Sequence, residues 1–82
     1  MDKFTMWIQN DCPFCQDAQT LLIEKSAPHE IVVLDNKKQE LQSLQEKYQW
    51  KTIPIIIKED EDGETFIGGY DDLITHFERK DP

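Results

Sequence analysis

Cys12 and Cys15, the two cysteines of this 82-residue chain, stand three apart in Cys12-Pro13-Phe14-Cys15, directly after an apolar stretch. That spacing suits thiol–disulfide exchange at a helix N-terminus. If the chain is helical from Pro13 onward, three residues advance about 4.5 Å and return nearly to the same face, bringing the sulfurs within bonding reach. Cys12, at or just before the cap, would face the N–H groups of Phe14 and Cys15 and the positive helix end, which favour a thiolate over a thiol. Comparable sites ionise at roughly 3.5 to 7.5 against about 8.5 for a free cysteine. Asp11 opposes this by like-charge repulsion, weakened by solvent screening.

The flanking sequence carries elements able to position the pair. Phe4, Met6 and Ile8 alternate with Thr5 and Trp7, a period-2 strand apolar on both faces and so expected to be covered on both. Pro13 suits a first helical position, and Phe14, Ala18, Leu21 and Leu22 follow helical spacing toward Pro28, predicting a helix over 13–26. Ile31-Val32-Val33-Leu34 has no alternation, which predicts a parallel strand buried on both faces and a right-handed βαβ unit. Asp35 or Asn36 can cap a second helix carried by Leu41, Leu44 and Tyr48, ending near Gln49. Ile53-Pro54-Ile55-Ile56-Ile57 reads as a strand with Pro54 at its start, and Asp62-Gly63 turns it into an antiparallel partner at Thr65-Phe66-Ile67. Gly68-Gly69 ends that hairpin. Asp71 and Asp72 complement the N-terminus of a last helix with Leu73, Ile74 and Phe77 on its buried stripe and Arg79 and Lys80 near its end. The expectation is an α/β fold in one domain over 1–82: β-α-β-α-β-β-α, a four-stranded mixed sheet with three helices.

A chain this short builds one core. A secreted scaffold of its size would carry several bridges, whereas both thiols here form one local pair that constrains little of the fold. There is no charged start followed by an apolar run and no apolar stretch of ~20 residues, so a soluble, cytoplasmic, monomeric protein without membrane contact is expected. The net charge of −8, from 17 acidic against 9 basic side chains, argues against nucleic acid and for neutral or locally basic partners. The acidic run at Glu59, Asp60, Glu61, Asp62 and Glu64 reads as a solvated turn. A zinc site would need four ligands, and only His29 and His76 remain, far apart and without ligand spacing, so no metal is expected. Both histidines read as surface or packing residues, and Trp50 as structural.

Three segments, Cys12-Pro13-Phe14-Cys15, Thr52-Ile53-Pro54 and Gly68-Gly69-Tyr70-Asp71-Asp72, in this order, resemble the signature segments of the dithiol glutaredoxins. The resemblance spans nearly the whole chain and implies the thioredoxin fold. It also implies an exposed nucleophile at Cys12, a buried resolving thiol at Cys15 and a cis peptide before Pro54. Glutathione would lie in a cleft of Phe14, Lys51, Thr52, Ile53, Pro54, Gly69, Tyr70, Asp71 and Asp72, as a co-substrate with no cofactor bound. The implied partners are glutathione and disulfide-containing or glutathionylated proteins, ribonucleotide reductase being one candidate. Many glutaredoxins carry a lysine a few residues before the first cysteine; here Gln9 and Asn10 stand there and Lys3 is the nearest base. That leaves Lys51, with Gln42 as second choice, for the glycine carboxylate. Two rival readings are a thioredoxin-like reductant charged by a flavoprotein reductase, and a non-catalytic module holding copper(I) or bridging an iron–sulfur cluster. Relatives that bridge clusters generally lack the second cysteine and have glycine in place of Pro13.

Overall fold

Alternating and continuous apolar runs become strands, and the 3.6-period stretches between them become helices. The computed structural model describes residues 2–80, in the order β1 (Lys3–Ile8), α1 (Pro13–Glu24), β2 (His29–Val33), α2 (Lys38–Tyr48), β3 (Ile55–Asp60), β4 (Gly63–Gly68) and α3 (Tyr70–Lys80). One sheet of order β2-β1-β3-β4 results. β1 runs parallel to β2, with Met6 opposite Ile31, and antiparallel to β3, with Met6 opposite Ile56. β3 and β4 form the expected hairpin: Asp60 pairs with Gly63, leaving Glu61 and Asp62 as a two-residue turn.

Met6 is the centre of the core. It is enclosed by Phe4 and Ile56 from the sheet, Ala18 and Leu22 from α1, and Leu73 from α3. These two helices therefore cover one face, and their alignment sets the relation between Cys12, at the start of α1, and the glycines that precede α3.

Three local expectations are corrected. β2 is not buried on both faces: Glu30 is exposed, Ile31 and Val32 are half-buried, and Val33 retains 39% of its exposure. The continuous run there is that of an edge strand, whose one neighbour is β1. The doubly covered strand is β3, where Ile55, Ile56 and Ile57 are all buried between β1 and β4. α1 stops at Glu24, short of 26, because Ser26 turns left-handed (φ 52°). The Ala27 N–H then donates to the Leu22 carbonyl and the Ser26 N–H to that of Ile23, closing the helix before Pro28 is reached. Nor does Asp35 or Asn36 cap α2. Lys37 holds that position without a side-chain bond, Asn36 sits at φ 62° to turn the chain, and Asp35 points elsewhere. Among the described residues no helix is long and apolar enough to cross a membrane.

Candidate redox site

Pro13 begins α1, and the residue before it is held extended (φ −133°, ψ 98°) with its sulfur turned over the first turn. Cys12 and Cys15 are joined as a disulfide, Cα atoms 5.2 Å apart. The Cys15 N–H lies 3.1 Å from the Cys12 Sγ, and the Cys12 carbonyl accepts from the N–H groups of Cys15 and Gln16 at 3.1 and 3.2 Å. Sulfur, oriented amide and helix end thus share one point. Any negative charge arriving on that sulfur when the bond is reduced is met by a donor already in place. Exposure departs from expectation. Cys15 is buried at 2%, but Cys12 is only 6% exposed, not open to solvent, because the bridge folds it down onto the first turn of α1.

Beside the pair lies a cleft of about 290 Å³. α1 contributes Phe14; the segment entering β3 contributes Trp50, Thr52, Ile53 and Pro54; the β4–α3 junction contributes Gly69, Tyr70, Asp71 and Asp72. Phe14 is 61% exposed and faces Tyr70 at 6.3 Å between ring centroids, so it forms the rim and not the core. The Ile53–Pro54 peptide is cis. Pairing of β3 with β1 begins only at Ile55, so Ile53 stands outside the sheet ladder and lines the cleft. The Asp72 carboxylate reaches back to accept the Gly69 N–H at 3.0 Å, and the Gly69 carbonyl accepts from Leu73 at 3.0 Å, which closes the first turn of α3.

Lys51 is the residue of the expected set that does not line the cleft. It is exposed, and its carbonyl is tied to Gln45 Nε2 at 3.1 Å. Gln42 lies on the exposed side of α2. Trp50, expected as packing, does both jobs: its ring sits edge-on to Phe66 at 5.4 Å and also lines the cleft wall, with Cζ2 3.6 Å from where a Gly69 Cβ would stand. Its place two residues before Thr52 was the available signal. His29 caps the loop through Nδ1 against the Ala27 carbonyl, 2.8 Å away, and His76 packs edge-on to Phe4 and Phe77, the packing roles anticipated. Among the described residues no group of three or more His, Cys, Asp or Glu side chains could hold a metal ion.

Asp35 is the site-supporting residue that pattern reading missed. Its carboxylate grips Asn10 from both sides, accepting the backbone N–H at 3.0 Å and the Nδ2 at 2.6 Å, two residues before Cys12. The loop entering α1 is thereby tied to the segment just after β2, 25 residues away in sequence. Asp35→Ala is expected to cost about 1 kcal/mol, discounted for exposure, and a thermal melt should show a fall of about 4–8 °C. Asp35→Asn, keeping one acceptor, should lose about half as much; equal stability of all three proteins would show that the clamp is idle.

A family model described as Glutaredoxin matches residues 4–62. No curated protein sequence matches the chain. Among solved structures, the chain is similar to glutaredoxin 1 of Francisella tularensis, crystallised in complex with cacodylate, at 23% identity, 98% and 96% coverage of the two chains and a TM-score of 0.77. A dithiolic glutaredoxin of Trypanosoma brucei brucei gives 24% identity, 96% and 80% coverage and a TM-score of 0.78. NrdH-redoxin of Escherichia coli, a glutaredoxin-like protein with a thioredoxin-like activity profile, gives 18%, 98% and 96%, and 0.70. At these identities the likeness is one of fold: a four-stranded mixed sheet with three helices, thioredoxin-like.

Proposed function

The chain belongs to the glutaredoxin family, and on that premise we propose that it is a glutathione-dependent thiol–disulfide oxidoreductase, a single domain over 1–82 working as a cytoplasmic monomer. The observation that carries this reading is the Cys15 N–H on the Cys12 sulfur at the start of α1, beside a cleft able to seat a substrate.

In the reduced protein, the Cys12 thiolate attacks one sulfur of a substrate disulfide and expels the other as a thiol, leaving a mixed disulfide. Cys15 then attacks the Cys12 sulfur, releasing the second substrate thiol and regenerating the Cys12–Cys15 bond; two electrons have passed to the substrate. Two glutathione molecules restore the dithiol. The first opens the bond and is held on Cys12; the second attacks its sulfur and leaves as oxidised glutathione. A glutathionylated protein enters at the mixed-disulfide stage and needs Cys12 alone.

For glutathione itself, the Ile53 backbone would pair with the cysteinyl residue by a one-residue strand addition. The amides from Tyr70 to Asp72 at the α3 N-terminus would meet the γ-glutamyl carboxylate, and the Asp72 oxygen not bound to Gly69 its ammonium. Lys51 would have to swing in to reach the glycine carboxylate. Disulfide-containing and glutathionylated proteins are the substrates, ribonucleotide reductase among the candidates.

A second reading, charging by a flavoprotein reductase of the thioredoxin type, is favoured by one feature: among the described residues no cation lines the cleft. The two are separated by following NADPH consumption on a glutathionylated peptide. Turnover with glutathione and glutathione reductase supports the first; turnover with a thioredoxin-type reductase alone sinks it and supports the second.

A further inference from the structure

We propose that the acidic rim of the cleft, with Asp71 as its main determinant, selects disulfide substrates whose cysteine is flanked by lysine or arginine. This rests on the thiol–disulfide reading above and adds the chemical class of the preferred substrate.

Among the described residues the charged groups lining the cleft are Asp71 and Asp72, with no lysine or arginine. Asp72 already has one oxygen committed to the Gly69 N–H. Asp71 is exposed, forms no ion pair among the described residues, and is steadied through its backbone carbonyl, which accepts the Thr75 hydroxyl at 3.1 Å. Asp11, also exposed, adds a carboxylate next to Cys12. The lysines whose ion pairs are defined lie elsewhere, Lys3 on Glu30 and Lys58 on Asp60. An approaching substrate therefore meets negative charge in the cleft lining and on the residue next to the reactive sulfur, on a chain whose formal charge is −8.

An independent feature points the same way. Phe14 and Tyr70 stand together at the rim. Their rings offer a face to a guanidinium or ammonium and apolar surface to its methylene stem. Glutathione has two carboxylates against one ammonium, and so gains less from this rim than a cationic peptide does.

The test uses the pre-reduced protein in single turnover, without glutathione or any reductase, so both electrons come from the Cys12–Cys15 dithiol. Two self-quenched disulfide peptides differ only in bearing lysine or glutamate beside the cysteine. The lysine peptide should react about 10-fold faster at about 20 mM salt, converging to within about 2-fold at about 0.5 M. Asp71→Asn should cut the low-salt preference about 3-fold, and Glu61→Gln, in the turn at the far end of β3, should leave it unchanged. Equal rates for the two peptides at low salt, an unaltered preference in Asp71→Asn, or an equal loss in Glu61→Gln would each overturn the proposal while leaving the redox reading intact. No reduction of either peptide would overturn both.

Discussion

Cys12→Ser is expected to reduce every disulfide-exchange activity to background, while Cys15→Ser keeps deglutathionylation and loses the reduction of intramolecular protein disulfides. The asymmetry follows from geometry. The amide at the helix start is aimed at the Cys12 sulfur, 3.1 Å away, and no comparable donor to the sulfur of Cys15, one turn into α1 and buried, is seen among the described residues. A serine hydroxyl at 12 stays protonated at neutral pH and forms no bond to sulfur, so the first step has no nucleophile. A serine at 15 removes the resolving step alone. Substrate then stays on Cys12 as a mixed disulfide until an external thiol frees it, and intact-mass measurement of Cys15→Ser after a single addition of substrate should find that adduct. Equal activity loss in the two variants, with no adduct on either, would mean that the order of attack is wrong.

Gly68→Ala should produce the largest stability loss of any single-methyl addition near the site. Gly68 has φ 121°, which side-chain-bearing residues rarely adopt, and it pairs with Ile56 where the register shifts by one residue between Ile56 and Ile57. A Cβ built there would stand 2.6 Å from Asp72 Oδ2 and 2.8 Å from its Cγ. The methyl therefore imposes backbone strain of about 1–3 kcal/mol and pushes away the carboxylate that satisfies the Gly69 N–H, about 1 kcal/mol more. A total of about 2–4 kcal/mol lowers Tm by more than about 10 °C in a domain of this size. Gly69→Ala is the control. Its Cβ would meet Trp50, the Pro54 carbonyl and Asp72 at 3.6 to 3.9 Å, ordinary contact, so its cost should stay near or below 1 kcal/mol. Combining Gly68→Ala with Asp72→Ala should cost less than the sum, since the second change removes the obstacle met by the first. Strict additivity in urea unfolding would show that the clash is not what destabilises Gly68→Ala.

What could be read without coordinates was whatever depends on neighbours along the chain. The three-residue spacing of Cys12 and Cys15, the proline at the first turn of α1 and the isoleucine run of β3 each state a local backbone geometry, and all of them are present. The hairpin forms too, but it turns through Glu61-Asp62, one residue before the expected Asp62-Gly63, because Gly63 already pairs with Asp60. The Thr52-Ile53-Pro54 and Gly68-Gly69-Tyr70-Asp71-Asp72 segments, distant in sequence, also come to one cleft. Here a resemblance supplied what periodicity cannot, since no local rule says which loops meet.

Tertiary structure decided the rest, because it concerns which groups compete for the same partner across the fold. Asp35 looked like a helix cap, but a caps-or-clamps choice depends on whether Asn10 is within reach, and pairing of β2 with β1 brings it there. The apolar runs of β2 and β3 look alike as text; the sheet order leaves one at an edge and encloses the other. Lys51 next to Thr52 promised a cation in the cleft, and the carbonyl tie to Gln45 accompanies its place outside. Sequence by itself therefore determined the reactive pair and the elements that carry it, since those follow from short-range backbone geometry. Only the folded chain decided the charge and the exposure around that pair, since both depend on contacts between segments dozens of residues apart.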